Sequence, residues 1–299
     1  MKVYKEGERM NKEEIIFKTI SNYKKILEDL GYKVIYIGLY GSQNYNVDDE
    51  LSDIDCKAII LPTLHDIIFR KVTSKTIECE NGSIDVKDLI TFHDVIKKGN
   101  FSYIESIDTE YSIGDKYIKE LFKKFRPNKK SILGAMYEKR KALTHEYPSK
   151  TKEFEKWGCD PKQYHHIIRL YDLLESGLDT SYLKYEPYLA KKMIDIKRNN
   201  NNLTKEFMEQ DSDNYINRAR EIIDYNYVYE VINIDDEISK YIEDKLKLEL
   251  LNNSKTMYAR EYRTFDGKIP KKDLMKFECL KELDGKDISY IVTESIEIL

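Results

Sequence analysis

Three aspartates lie in short apolar segments, at spacings that would let them act together. Asp53 and Asp55 open the apolar segment 53–61, and Asp85 lies in the segment 83–89. Side chains on a strand alternate between its two faces, so Asp53 and Asp55 are expected on one face. If the strand that carries Asp85 pairs with the first, three carboxylates converge on one patch.

Converging carboxylates repel one another and favour a bound cation. Mg²⁺, or Mn²⁺ in its place, is the natural partner, because a hard ion takes oxygen ligands and keeps several waters. Two such ions can align an attacking hydroxyl with the α-phosphate of a nucleotide and neutralise the leaving pyrophosphate. A carboxylate can also help to deprotonate the hydroxyl.

A Gly-Ser pair precedes these aspartates. Gly41 and Ser42 follow a segment that is typical of a strand, and Ser42 lies eleven positions before Asp53. Glycine lets the backbone approach a phosphate closely, and the amides at the start of a helix form an anion site. This turn is therefore a candidate cradle for a triphosphate.

Composition limits the class of protein. The chain has 299 residues, of which 41% are hydrophobic and 35% charged, and its net charge is −4. A general nucleic-acid binder is expected to carry a basic domain, so the small acidic excess of this chain does not favour that class. The absence of a long apolar run or signal-peptide core, with four scattered cysteines, predicts a cytoplasmic protein without a membrane partner.

Hydrophobic periodicity predicts alternating helices and strands in the first part of the chain. The first helix is expected over residues 11–30, between Asn11 as N-cap and Gly31 near its end. The predicted strands are 33–40, 53–61 and 83–89, and the helices after them are 91–98, 101–108 and 115–124. A short helix or loop is expected between the second and third strands.

Strand signals fade after about residue 127. Helices are predicted over 131–145, 161–176, 187–197, 204–224 and 235–251, and residues 256–265 could form a further strand. The expected fold is α+β: a catalytic domain with a small mixed sheet over residues 1–126, followed by a mainly helical domain over 127–251. The segment 252–299 has no predicted role.

These motifs together resemble those of polymerase-β-type nucleotidyltransferases. Within that superfamily the chain is most similar to the bacterial and phage group associated with RNA ligases and RNA repair, over residues 35–180. The shared motifs are GSQNY at 41–45, SDID at 52–55, a Gly99-Asn100 segment ending in Glu105, and His166-Ile167-Ile168-Arg169. Asn46, Cys56 and Lys57 depart from the group's pattern, which leaves substrate preference open.

The resemblance implies a role for each matching residue. Asp53 and Asp55 would bind both metal ions, and Asp85 would bind the catalytic ion and help to activate the acceptor hydroxyl. The residues expected to bind the nucleotide are Gly41, Ser42, Lys57, Lys162, His166 and Arg169. Glu105 could support Arg169 through a hydrogen bond.

The acceptor of the transferred nucleotide is open at this point. An RNA 3′ end is favoured by the resemblance and by the basic stretch 119–141, in which Phe125 and Tyr137 could stack on bases. The acidic balance instead favours a protein or small-molecule hydroxyl, as in toxin-like or antibiotic-modifying relatives. A third alternative is a module that binds nucleotide or RNA without turnover.

Overall fold

A computed structural model describes residues 11–50, 52–180, 184–223 and 227–261. The chain divides into two compact units, Met1–Ile234 and Asp235–Leu299. The boundary predicted at residue 126 falls inside the first unit, in the loop before the helical part, and stays a prediction.

The first helix, α1 (Lys12–Asp29), begins and ends as its sequence predicts. Asn11 accepts a hydrogen bond from the amide of Glu14, whose side chain accepts from the amide of Asn11, which completes a capping box. Gly31, just past the end, has φ +86°, a conformation that favours glycine. One face of the helix packs on the sheet through Ile16, Ile20, Tyr23 and Leu27.

A five-stranded mixed sheet forms the centre of the first part. Its strands are β1 (Val34–Tyr40), β2 (Asp55–Ile60), β3 (Ser74–Cys79), β4 (Gly82–Asp88) and β5 (Ser112–Gly114), in the order β3-β4-β2-β1-β5. The β2–β4 pair is parallel and the other three pairs are antiparallel. The α+β class with a small mixed sheet is therefore confirmed.

The strand predicted over 53–61 begins later than expected. Asp55 is the first residue of β2, so Asp53 lies in the loop before it and strand alternation does not fix its direction. Strands β3 and β5 were not predicted. Strand β3 lies at the sheet edge with four of its six residues exposed, and β5 has only three residues, so neither has a clear apolar pattern.

Four short helices lie between and after the strands, and the last three of them pack on the sheet. They are α2 (Leu64–Ile68), α3 (Leu89–Ile96), α4 (Phe101–Asp108) and α5 (Lys116–Phe122). Helix α4 packs directly on β1, where a methyl group on Gly38 would overlap the carbonyl oxygen of Ser106. The same carbonyl accepts a hydrogen bond of 2.8 Å from the hydroxyl of Tyr36. Glycine at position 38 therefore sets how closely α4 approaches the sheet.

Five helices follow within the first unit. They are α6 (Lys129–Thr144), α7 (Thr151–Trp157), α8 (Pro161–Glu175), α9 (Pro187–Arg198) and α10 (Lys205–Ile222); α7 was not predicted. Helix α8 is central and packs against α6, α9 and α10. Their shared core also includes Tyr45 and Val47, from the turn after β1. The helical part and the glycine turn are thus joined by one hydrophobic cluster.

The second unit is described only through helix α11 (Asp235–Glu261). The strand predicted over 256–265 is wrong as far as Glu261, because these residues continue the helix. The rest of that prediction, and nearly all of the segment 252–299, lies outside the described residues. No described helix combines the length and the apolar character needed to cross a membrane.

Candidate functional site

A pocket of about 560 Å³ lies in the first unit, between the sheet and the helical part. It brings together the turn after β1, the segment that leads into β2, the start of α4, and one side each of α6, α8 and α9. Its charged lining residues are Asp53, Asp55, Glu105, Lys139, Lys150, Lys162, Arg169, Lys197 and Arg198. Of the predicted site residues, Gly41, Ser42, Asp53, Asp55, Lys162, His166 and Arg169 line it, whereas Lys57 and Asp85 do not.

Asp55 is held at the sheet wall of the pocket. As the first residue of β2 it pairs in register with Tyr40 of β1. Its Oδ1 accepts hydrogen bonds from the amide (3.0 Å) and the hydroxyl (2.8 Å) of Ser83. Asp53, two residues earlier, is exposed at the same pocket. The structure therefore brings the two predicted carboxylates together.

Asp85 lies on the same face of the sheet as Asp55 but does not line the pocket. Lys57 of β2 lies opposite it in the parallel β2–β4 pair, and Lys57 Nζ is 2.9 Å from Asp85 Oδ2. The same oxygen accepts a hydrogen bond of 2.6 Å from the hydroxyl of Tyr103. Burial alone would raise the pKa of Asp85, but Lys57, Tyr103 and Lys87 outweigh it and lower that pKa. Asp85 thus forms an ion pair with Lys57, and its expected role as a metal ligand stays a prediction.

Lys57 was predicted to contact the nucleotide, but it is buried behind the pocket wall. Its side chain is only 6% exposed, and Nζ lies 4.1 Å from the ring centroid of Tyr40 and 4.0 Å from that of Tyr103. Burial lowers the pKa of Lys57, and Asp85 opposes this effect. Lys57 thus acts on Asp85 rather than on the pocket.

The glycine turn follows Tyr40, the partner of Asp55, and also lines the pocket. Gly41 has φ +94°, and Ser42–Tyr45 continue as one short 3₁₀ turn. The amide of Gly41 donates a hydrogen bond to the carboxylate of Glu105, which also accepts from Asn44 at 3.4 Å. Because the Gly41 amide is already used, Ser42 is the residue of the predicted cradle that remains for a ligand.

Glu105 and Arg169 form the buried support of this turn. Burial raises the pKa of Glu105 from 4.5 to about 7, although the charge of Arg169 and the Gly41 amide oppose the shift. The guanidinium of Arg169 stacks on Tyr45, with its central carbon 3.6 Å from the ring centroid. Hydrogen bonding between Arg169 and Glu105 also lowers the pKa of the carboxyl, so the predicted partnership of the two residues is present.

Helix α9 adds two cations that sequence reasoning missed. Lys197 Nζ donates to the hydroxyl of Ser52 (2.9 Å) and to the carbonyl of Val47 (3.3 Å). Arg198 makes two hydrogen bonds of 2.6 and 2.7 Å to Asp49. These contacts join α9 to the segment 47–52, directly before Asp53. Nothing in the local sequence shows that residues almost 150 positions apart would meet.

Two adjacent histidines of α8 line the pocket. His166 was predicted there, but His165 was missed; it is 1% exposed and neither ring nitrogen has a hydrogen-bond partner. Burial, reinforced by the positive charges of Arg169 and Lys162, lowers the pKa of both histidines well below 6.5. Both rings are therefore neutral at pH 7 and can each donate one hydrogen bond.

Helices α6 and α8 give the pocket two different ends. The amide of Asp160, at the start of α8, donates to the carbonyl of Leu143 near the end of α6 (3.0 Å), so the two helices run in opposite directions. Lys139 and Lys162 therefore share one end of the pocket, where Lys197 also lies. The other end is uncharged, and its lining residues are Asn100, Phe101, Ser102, Ser131, Leu170 and Leu173.

The carboxylates present fit one divalent cation. Mg²⁺ in nucleotide sites is commonly held by one or two carboxylates plus phosphates and waters, which Asp53 and Asp55 can provide. Among the described residues, no group of three or more His, Cys, Asp or Glu side chains is arranged to hold a metal ion. The expectation that Asp53, Asp55 and Asp85 together hold two ions stays a prediction.

Only part of the basic stretch 119–141 can form the surface that was expected. Phe125 is fully buried, so it cannot stack on a base. Lys119 donates to the carbonyl of Thr109, and Arg140 pairs with Asp213 on α10. Lys139 instead lines the pocket. The basic residues of the stretch thus serve different parts of the fold.

Comparison with models of known protein families and with curated proteins finds no match for this chain. Its chemistry is therefore inferred from the pocket residues themselves: two carboxylates on one wall, and cations and neutral hydrogen-bond donors on the other.

Proposed function

We propose that this chain is a Mg²⁺-dependent nucleotidyltransferase, which moves a nucleoside monophosphate from a nucleoside triphosphate to an acceptor hydroxyl and releases pyrophosphate. The observation that carries the proposal is the meeting of Asp53 and Asp55 with Ser42 and the cations of α6, α8 and α9 in one pocket. Carboxylates suit the cation of a metal–nucleotide complex, and the opposing cations suit its phosphates.

The cationic end suits the β- and γ-phosphates. Lys139, Lys162 and Lys197 supply positive charge there, and the neutral histidines can donate hydrogen bonds beside them. Burial lowers the pKa of Lys197 from 10.5 to about 8, although Asp49 opposes the shift. An entering phosphate would favour the charged form of this lysine, because an opposite charge nearby stabilises it.

The uncharged end suits the nucleoside. Phe101, Leu170 and Leu173 provide apolar surface, and Ser131 and Asn100 provide hydrogen-bonding groups. Ligand pockets of this kind are mostly apolar with a few polar groups that fix orientation. In this orientation the α-phosphate lies between the two ends.

The carboxylate wall suits the reacting group. A Mg²⁺ ion held by Asp53 and Asp55 would neutralise charge on the α-phosphate and orient it for attack. Ser83 fixes the orientation of Asp55 through its two hydrogen bonds, and α9 holds the loop that carries Asp53. The lowered pKa of Asp85 makes its carboxylate a weak base, which does not favour Asp85 as the group that activates the acceptor hydroxyl.

The first acceptor to test is an RNA 3′ end, which the resemblance to the RNA-repair group supports. A protein or small-molecule hydroxyl is the alternative, favoured by the net charge of −4 and by the dispersal of the basic stretch. Nucleotide binding without turnover is a further candidate, favoured by the engagement of Asp85 with Lys57.

The test is incubation of the purified chain with each of the four α-³²P-labelled nucleoside triphosphates, Mg²⁺, and cellular RNA and protein. The control is the Asp53→Asn/Asp55→Asn double variant, with folding checked by thermal unfolding. We expect label in RNA, or in protein, that is absent from the control. Nucleotide binding in equilibrium dialysis without any transfer of label would instead support the binding module, and the absence of both would refute the proposal.

A further inference from the structure

The Lys57–Asp85 pair is built into the sheet beside the pocket. Lys57 follows Asp55 by two positions on β2, so the two side chains share a face of the strand. Across the parallel pair, Ser83 hydrogen-bonds Asp55, and Asp85 lies opposite Lys57. The lysine therefore stands next to the carboxylate wall, between Asp55 and the region of Asp85.

Lys57 is fixed in this place by contacts on several sides. The aromatic rings of Tyr40 and Tyr103 contact its ammonium group at 4.1 and 4.0 Å, and Asp85 binds it at 2.9 Å. A cation over an aromatic face gains electrostatic stabilisation, which is largest when water is excluded. Removing one partner of a buried ion pair is strongly destabilising, because it leaves the other charge buried without compensation. Lys57 is therefore held in one place beside Asp85, unlike a mobile surface lysine.

Asp85 has both oxygens engaged. Oδ2 accepts from Lys57 and from the hydroxyl of Tyr103, and Oδ1 is 3.5 Å from Lys87 Nζ. A metal ion bound by Asp85 and Asp55 would have to displace these donors. It would also lie close to the ammonium group of Lys57, and like charges at such short range repel strongly where burial lowers the effective dielectric constant.

We propose that Lys57 is a resident cation that takes the place of a second metal ion, so that the site binds a single divalent cation on Asp53 and Asp55. The identity of that ion as Mg²⁺ or Mn²⁺ rests on the proposed function. The role of Lys57 is independent of the proposed function, because it follows from the contacts of the lysine with Asp85 and the two tyrosines.

The test counts the bound ions in the full chain without nucleotide. Mn²⁺ is titrated into the protein, and the free ion is measured by electron paramagnetic resonance. We expect one Mn²⁺ per chain for the wild type and none for Asp53→Asn/Asp55→Asn. Two ions, or none, in the wild type would overturn the proposal.

Two further variants test the part played by Lys57. The Lys57→Met/Asp85→Asn double variant removes both charges together, which avoids leaving either one buried alone, and we expect it to keep one Mn²⁺. The Lys57→Met variant leaves the Asp85 carboxylate without its lysine, and we expect it to bind a second Mn²⁺. Loss of the ion from the double variant, or no second ion in the folded single variant, would contradict the assignment.

The number of bound ions and the transfer of label test the two proposals separately. One ion per wild-type chain with no transfer of label would support the role of Lys57 and remove the proposed reaction. Transfer of label with two ions per chain would support the reaction and remove the role of Lys57.

Discussion

The guanidinium carbon of Arg169 lies 3.6 Å from the centroid of the Tyr45 ring. Arg169 belongs to α8 and Tyr45 to the turn that Gly41 begins, so this stacking joins the helical part to the sheet at the pocket. Glu105 completes the contact, because its carboxylate interacts with both Arg169 and the Gly41 amide. Three separate segments of the chain therefore depend on one buried cation.

Replacing Arg169 by methionine should destabilise the protein. The change leaves the buried carboxyl of Glu105 without its cation and removes the stacking on Tyr45, so we expect a loss of about 3 kcal/mol in the free energy of unfolding. Urea unfolding measures it. Arg140→Met is the matched control, because Arg140 pairs with Asp213 near the surface, where such pairs contribute about 0–1 kcal/mol. Equal losses in both variants would contradict the buried role of Arg169.

Glu105 should make stability depend on pH. Its pKa is raised by burial from 4.5 to about 7, so the folded protein holds more protons than the unfolded chain between these values. This contribution to stability is complete below about pH 4.5 and is lost as pH rises through 7, with a slope of at most about 1.4 kcal/mol per pH unit. We expect Glu105→Gln to remove that decline, as measured by urea unfolding from pH 5 to 8. Identical pH profiles for the two proteins would show that Glu105 titrates normally.

Two glycines should respond oppositely to alanine. A methyl group at Gly38 meets the Ser106 carbonyl and the Tyr36 ring, so Gly38→Ala must push α4 away from β1. We expect a loss of about 1–3 kcal/mol, which is typical of overpacking. Gly134 lies within α6 with open space around it, so Gly134→Ala should stabilise the protein by roughly 0.5–1 kcal/mol. Thermal unfolding compares both, and similar midpoints would contradict the close approach of α4.

The contact of α9 with the loop before Asp53 should affect the affinity for ligands more than the free energy of unfolding. Arg198→Ala removes both hydrogen bonds to Asp49, whose pKa is strongly lowered by this guanidinium. We expect Mn²⁺ and nucleotide to bind roughly tenfold more weakly, which corresponds to about 1.4 kcal/mol.

Lys192→Ala is the control for this variant, because Lys192 lies on the same helix but contacts Tyr188 instead of the pocket. Equilibrium dialysis gives both affinities. If the two variants bind equally well, the loop does not need α9 to position Asp53.

The elements with strong local signals were predictable. Asn11 and Gly31 set the ends of α1, and apolar runs located β1 and β4. Edge strand β3 was not predicted, because Lys75 and Glu78 are exposed on opposite faces of the strand and interrupt its apolar pattern. The local sequence pattern is enough to locate a buried strand, whereas an edge strand can be located only when the packing of the sheet is known.

The aspartates at the pocket were predictable and the pairing of Asp85 was not. The D-x-D spacing marks Asp53 and Asp55 without any knowledge of the fold. The partner of Asp85 depends on the register between β2 and β4, and a shift of two residues would have placed Asp55 opposite it instead of Lys57. No local property of either strand specifies this register. The cations Lys197 and Arg198 were missed for a similar reason, since only the packing of α9 brings them to Ser52 and Asp49.

The long separation between Asp49 and Arg198 has a consequence for synthesis of the chain on the ribosome. A nascent chain that ends before α8 already carries the glycine turn and both pocket aspartates, but it lacks the cations of α8 and α9. The pocket cations already made at that stage are Lys139 and Lys150, so a triphosphate meets fewer positive charges there than in the longer chain. Ligand affinity should therefore rise in steps, and its last step should follow when α9 emerges from the exit tunnel with Lys197 and Arg198.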